Sequence, residues 1–102
     1  VPIIPNIHRA ILASASQPCA LDMSDWHTCE TTHCRAGWIV KLAGEKGKAL
    51  EKESSTLFAA MQIYKASSPI RVWPPRFFES NEAAMKDMER CAALEAEAKP
   101  EA

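Results

Sequence analysis

The chain of 102 residues sets 12 Lys and Arg against 13 Asp and Glu, for a formal net charge of −1. That balance excludes a general polyanion binder, whose affinity rests on an excess of basic charge, so nucleic acid is not an expected partner. No apolar run approaches the roughly 20 residues that a membrane span requires, so a bilayer is not expected either.

A 47% apolar share in a chain of this size supports one domain with a modest core. No basic segment followed by an apolar stretch opens the chain, so no secretory leader is expected. Because it begins at Val1, it is expected to be processed or to be an excised domain of something longer. Cys19, Cys29, Cys34 and Cys91 make an even count. Disulfide-dense scaffolds, however, are usually shorter and poorer in core residues, so reduced thiols and a cytoplasmic location are expected.

In chain order, Pro2 and Pro5 keep the lead-in extended, and Asn6 is a natural N-cap for a first helix over about 7–15. Ile7, Ile11 and Leu12 form its apolar stripe, with His8 and Arg9 on the wet side. Gln17 and Pro18 end it. The next helix spans about 33–43, with Thr31 and Thr32 as candidate caps. Apolar on nearly all faces, it reads as a buried core helix. Gly37 in its interior costs about 1 kcal/mol relative to alanine, which predicts that another backbone passes close by. Gly44 fits the left-handed position that ends helices.

Glu45–Glu53 predicts an exposed helix, a solvated face with Ala49 and Leu50 as its inward contacts. Ser55 caps a helix over 56–66, whose stripe is Leu57, Ala60, Met61 and Tyr64. The segment 67–78, SSPIRVWPPRFF, holds three prolines and predicts an ordered, non-helical loop. A last helix runs from Ser80 or Asn81 to about Leu94, with Met85, Met88, Cys91 and Ala92 inside and Lys86, Asp87, Glu89 and Arg90 outside. Residues 1–94 then form one domain, and 95–102 a frayed tail.

Candidate chemistry concentrates in Trp26–Trp38, WHTCETTHCRAGW, which holds two of the three histidines, two of the four cysteines and two of the three tryptophans. His27, Cys29, His33 and Cys34 are nitrogen and sulfur donors of the kind zinc accepts, although their spacing matches no common finger or ribbon. The bland reading is a scaffold in which the histidines bond backbone carbonyls and the cysteines pack. Cys34, in the first turn of a helix and close in sequence to His27, His33 and Arg35, is the candidate nucleophile of a cysteine enzyme. A Cys29–Cys34 disulfide requires the loop to fold back. The second concentration is Arg71, Trp73, Arg76, Phe77 and Phe78. Arginine and aromatic side chains are enriched in interface hot spots, and prolines stiffen the loop that carries them. The same residues could equally lid the core.

The run LDMSDWHTCETTHCRAGWIVKLAG, with KALE, IYKASS and RFFESNEAAMKDM after it, resembles a family of uncharacterised domains in phage and bacterial proteins. That family carries a C-x-T-T-H-C-R-A-G-W box and is often appended to modular or repeat segments. The resemblance covers about 6–94. It implies a domain that travels as a module and brings no catalytic residues with it.

Together these readings predict an all-α fold of four to five helices around a buried helix at about 33–43, without a sheet. The expected function is a protein-interaction or accessory module of phage or bacterial origin, an inhibitor of a host defence complex being one form of it. Its candidate contacts are Arg71, Trp73, Arg76 and Phe77, its expected partner is a protein, and no cofactor is required. A small zinc-binding domain using His27, Cys29, His33 and Cys34 is the alternative, and a cysteine-dependent enzyme the third.

Overall fold

The computed structural model describes residues 1–98. Five α-helices carry the fold: α1 (Ile7–Ala15), α2 (Arg35–Leu42), α3 (Gly44–Glu53), α4 (Thr56–Ser67) and α5 (Asn81–Ala98). The all-α expectation needs one correction. Two short strands, β1 (His27–Cys29) and β2 (Thr32–His33), pair antiparallel, with His27 opposite His33 and Cys29 opposite Thr32. Thr28, Thr31 and Thr32 are β-branched and permit extended backbone, which non-local pairing then selects. The hairpin is anchored from its other side, where His33 N–H donates to Ala20 (3.1 Å) and Asp22 N–H donates to the His33 carbonyl (3.1 Å).

Because Thr31 and Thr32 are used in the hairpin, α2 starts later than the sequence predicts. Its N-cap is Cys34, whose sulfur accepts from the Gly37 N–H at 3.3 Å. The predicted close approach at Gly37 is present. A β-carbon there would collide with the Trp26 carbonyl oxygen and stand 3.1 Å from His27 Nδ1. The backbone that passes is the strand entering the hairpin. Gly44 takes the expected left-handed conformation, φ 69°, and turns the chain from α2 into α3. Leu42, at the end of α2, is exposed.

Helix α1 packs on α5, and α2 packs on α4. Ile7, Ile11, Ile39, Ile63, Phe77 and Met88 form the centre of the core. Ser55 caps α4 as predicted, accepting from Phe58 N–H at 3.0 Å. Asn6 does not cap α1: it sits at φ 54° and its side chain makes no cap bond. The cap comes instead from the far end of the chain, where the Glu95 carboxylate accepts from His8 N–H (3.0 Å) and Arg9 N–H (3.1 Å). A carboxylate there satisfies donors that a helix start leaves unpaired, and it lies at the positive end of the helix dipole.

Two expectations change as a result. Glu95 is buried within α5, which runs to Ala98, so the expected fraying does not begin at residue 95. The remainder of that expected tail, 99–102, lies outside the described residues. His8, expected in water, is fully buried and stacked on Tyr64 with ring centroids 5.2 Å apart.

The interior also holds a charge. Arg35 is fully buried, and all three of its guanidinium nitrogens have partners. Nε donates to Tyr64 Oη (3.0 Å), Nη1 to Asp87 Oδ2 (2.6 Å) and Nη2 to Cys91 Sγ (3.7 Å). Asp87, expected on the wet face of α5, is therefore buried, and its other oxygen receives Arg90 Nε and Nη2 at 3.0 and 2.8 Å. Burial works to raise the Asp87 carboxyl, but the hydrogen bonds from Arg35 and Arg90 outweigh it and hold the group below its usual range. A buried carboxylate with this many donors meets the condition under which a buried ion pair persists.

Candidate functional site

The hairpin and α3 enclose a cleft of about 590 Å³ whose lining includes His27, Cys29, His33, Lys48 and Glu51. His27 and His33 face each other across the strand pair, with their Nδ1 atoms 2.7 Å apart. The outer nitrogen of each ring is held. His27 Nε2 lies 2.8 Å from the Glu51 carboxylate, and His33 Nε2 lies 3.0 Å from the Glu30 carbonyl. Glu51 is fixed in turn by the Thr56 hydroxyl at 2.7 Å. Burial acts to raise the Glu51 carboxyl, but hydrogen bonds from Thr56 and His27 prevail and lower it. Burial lowers the basicity of His33 despite the Glu30 carbonyl. His33 also packs edge-on against Trp38, centroids 4.8 Å apart, and Trp38 Nε1 donates to the Ala20 carbonyl at 2.7 Å.

The four residues singled out as a box are therefore divided. His27, Cys29 and His33 share the cleft. Cys34 is buried and spends its sulfur on the α2 cap, and burial pushes its thiol up. That is the opposite of what a nucleophile needs. The thiol that is activated is Cys29, exposed at the hairpin, where hydrogen bonding by Thr32 and then Thr31 pulls it down to about 7. Among the described residues, no three His, Cys, Asp or Glu side chains converge as a metal-binding group. All four cysteines are free thiols, so the Cys29–Cys34 disulfide is not formed.

Glu51 was not visible as a site residue. It lies 24 positions from His27 in a segment that reads as a solvated helix face, and only the left-handed turn at Gly44 brings that face over the hairpin.

The aromatic segment divides too. Pro74–Phe78 is a 3-10 helix that starts on proline. Phe77 faces inward and is buried, so it leaves the list of surface contacts, while its neighbour Phe78 is 65% exposed. Arg76 is committed internally, bridging Glu79 at 3.0 Å and Asp87 at 3.5 Å. Trp73 is 57% exposed, and the Arg71 guanidinium lies over its ring, 4.3 Å from the centroid. These two border a groove of about 710 Å³ that runs to Met61 and Lys65 on α4.

Comparisons of the chain with family models, with curated proteins and with solved structures each return no match. Among the described residues, no helix is long and apolar enough to cross a membrane.

Proposed function

We propose that the chain is a protein-interaction module whose contact face is Arg71 and Trp73 with the adjoining groove. One observation carries this reading: Trp73 stands more than half exposed with Arg71 already stacked on it, on a segment held by Pro74 and Pro75. A large aromatic presented to water in a fixed pose lowers the ordering cost that binding otherwise incurs. Tryptophan and arginine are also the side chains on which interface energy most often concentrates. The groove lining contains Lys65 and Arg71 and no carboxylate, so the partner segment this face fits best is acidic with an apolar anchor.

The resemblance to phage and bacterial modules supplies the setting, an accessory domain that carries this face to a host protein. An inhibitor of a host defence complex is one form of that role. The test is affinity capture from host extract with the native chain and with Trp73→Ala/Arg71→Ala. The expected result is loss of the captured partner with unchanged helical circular dichroism. Equal capture by the variant, or unfolding of Trp73→Ala alone, would overturn the reading, because Trp73 would then be a passive surface residue or a lid on the core.

A further inference from the structure

The His27–His33 pair turns two ring nitrogens towards one point, and this arrangement is independent of the aromatic face. The Glu30 carbonyl can only accept, so His33 Nε2 must carry the hydrogen in their 3.0 Å contact. The Glu51 carboxylate likewise accepts from His27 Nε2 at 2.8 Å. With both Nε2 atoms donating, the two neutral rings turn bare Nδ1 lone pairs towards each other at 2.7 Å. Lone pairs at that distance repel unless a proton or a metal ion lies between them, and a metal ion competes with the proton for this position.

Metal-bound histidines have this construction: one ring nitrogen ligates, while the other N–H is oriented by a carboxylate or a backbone carbonyl. Here both outer partners are in place, and Thr56 braces the carboxylate as well. We propose that His27 and His33 form a two-histidine site for a late first-row divalent metal ion, zinc being the reference case, ligated through both Nδ1 atoms. Imidazole nitrogen suits such ions. At metal–nitrogen lengths of about 2.0–2.1 Å in tetrahedral geometry, the two nitrogens must part by roughly 0.6 Å. His27, with 36% of its side chain exposed, sits on the rim where such a movement is cheap.

This site differs from a closed four-donor box. Cys34 is occupied at the helix cap, so the remaining positions open onto the cleft and are left to exogenous ligands such as water. Closed sets of four ligands are structural, whereas sites that keep open positions accept exogenous ligands. The site is therefore an exchangeable one that presents its ion to a small anionic or thiol ligand in the cleft.

The test is a zinc titration of the reduced, metal-free chain by calorimetry, with nitrogen-15 spectra of the histidine rings. One zinc per chain is expected, moving the Nδ1 resonances of His27 and His33 and leaving their Nε2 resonances hydrogen-bonded. His27→Gln and His33→Gln should each weaken binding at least about 100-fold, and Glu51→Gln about 10–100-fold, the usual cost of mutating an orienting partner, here by removing the charge that makes the ring a stronger ligand. Cys34→Ser, which keeps a good helix cap, should leave the affinity within about threefold. Unmoved Nδ1 resonances at one equivalent of zinc, affinity unchanged in both histidine variants, or loss of binding in Cys34→Ser would each overturn the proposal. If a histidine variant loses its helical circular dichroism, the ring resonances of the native chain decide alone.

Discussion

Two polar networks leave the same short stretch of chain in opposite directions. His33 points outward to His27 and the Glu51 rim, while Arg35, two residues on, points inward to Tyr64, Asp87 and Cys91. The inner network is closed, because every guanidinium nitrogen has a partner and the facing carboxylate is filled by Arg35, Arg90 and Arg76. The outer network is fixed at both ends and has two ring nitrogens facing each other in the middle. A closed buried network specifies one packing arrangement and has nothing left to offer a ligand. An orienting frame around two facing ring nitrogens does the reverse. The comparison therefore separates a structural half of the Trp26–Trp38 stretch from its chemical half.

The largest expected effect comes from breaking the inner network. Arg35→Met removes the buried cation and leaves the Asp87 carboxylate and the Tyr64 hydroxyl short of a donor, which should cost about 3–5 kcal/mol. Thermal unfolding measures it. The double variant Arg35→Met/Asp87→Leu should recover part of that loss, since well-packed apolar replacements of a buried pair are often neutral. A single variant as stable as the native chain would mean that Arg35 is not the interior hub.

Gly37 tests the joint between the two halves. A methyl group there meets the Trp26 carbonyl and crowds the His27 ring. Gly37→Ala should cost about 1–3 kcal/mol by overpacking and should shift the His27 ring resonances. A gain in stability, which the helix propensity of alanine would otherwise bring, would show that the strand can retreat from α2.

How much of this was legible follows from what each residue's signal depends on. Helical spacing placed α1 and α4, and Gly44 and Ser55 announced their own roles, because such signals are local. Gly37 announced a close approach but not its partner. The hairpin was missed because Thr31 and Thr32 serve equally as helix caps and as strand residues, and the choice was made by pairing with Ala20 and Asp22. Asp87, Glu95 and Glu51 looked like wet carboxylates. Each acquired its role from a partner 24 to 87 positions away, and no periodicity encodes that. Phe77 and Phe78 were indistinguishable in sequence, and the 3-10 turn that separates them is set by the prolines before it and the fit of Phe77 into the core.

His8 sharpens the comparison from inside the core, as an interior polar side chain left out of the closed network. It is fully buried, and neither ring nitrogen makes a well-formed hydrogen bond. Burial lowers its basicity below the ordinary 6.5, partly opposed by Glu95, with Arg35 adding to the lowering and the Ile70 backbone and Asp87 opposing it. The unfolded chain therefore takes up a proton near pH 6.5 that the folded chain refuses. Stability should be intact above that pH and fall as the pH drops below it, by up to about 1.4 kcal/mol per unit from this group. Denaturant unfolding at pH 7.5, 6.0 and 5.0 measures the slope, and His8→Phe should flatten it. An identical slope in His8→Phe would assign the acid loss to His33 and the carboxylates instead.

Glu51 should give the smallest effect on stability, and that is why it is informative. Its bond to His27 is part-exposed, with 36% and 24% of the two side chains accessible, and pairs in such positions contribute about 0–1 kcal/mol. Glu51→Gln keeps the side-chain shape and leaves the Thr56 hydroxyl an acceptor, so unfolding should shift by less than about 1 kcal/mol. Asp87→Asn, a change of the same chemistry in the closed network, should cost several times more, because there the lost charge faces buried Arg35. Measuring both variants by denaturant unfolding at low and at moderate salt isolates the difference. The rim variant should lose most of its small effect as salt screens it, whereas the interior one should change little. Equal costs for the two substitutions would erase the distinction between frame and core, and the hairpin would then be a structural element in the same sense as Arg35. A negligible cost for Glu51→Gln, set beside its expected weakening of zinc binding, would mean that this α3 carboxylate lies over the hairpin for the ring it orients.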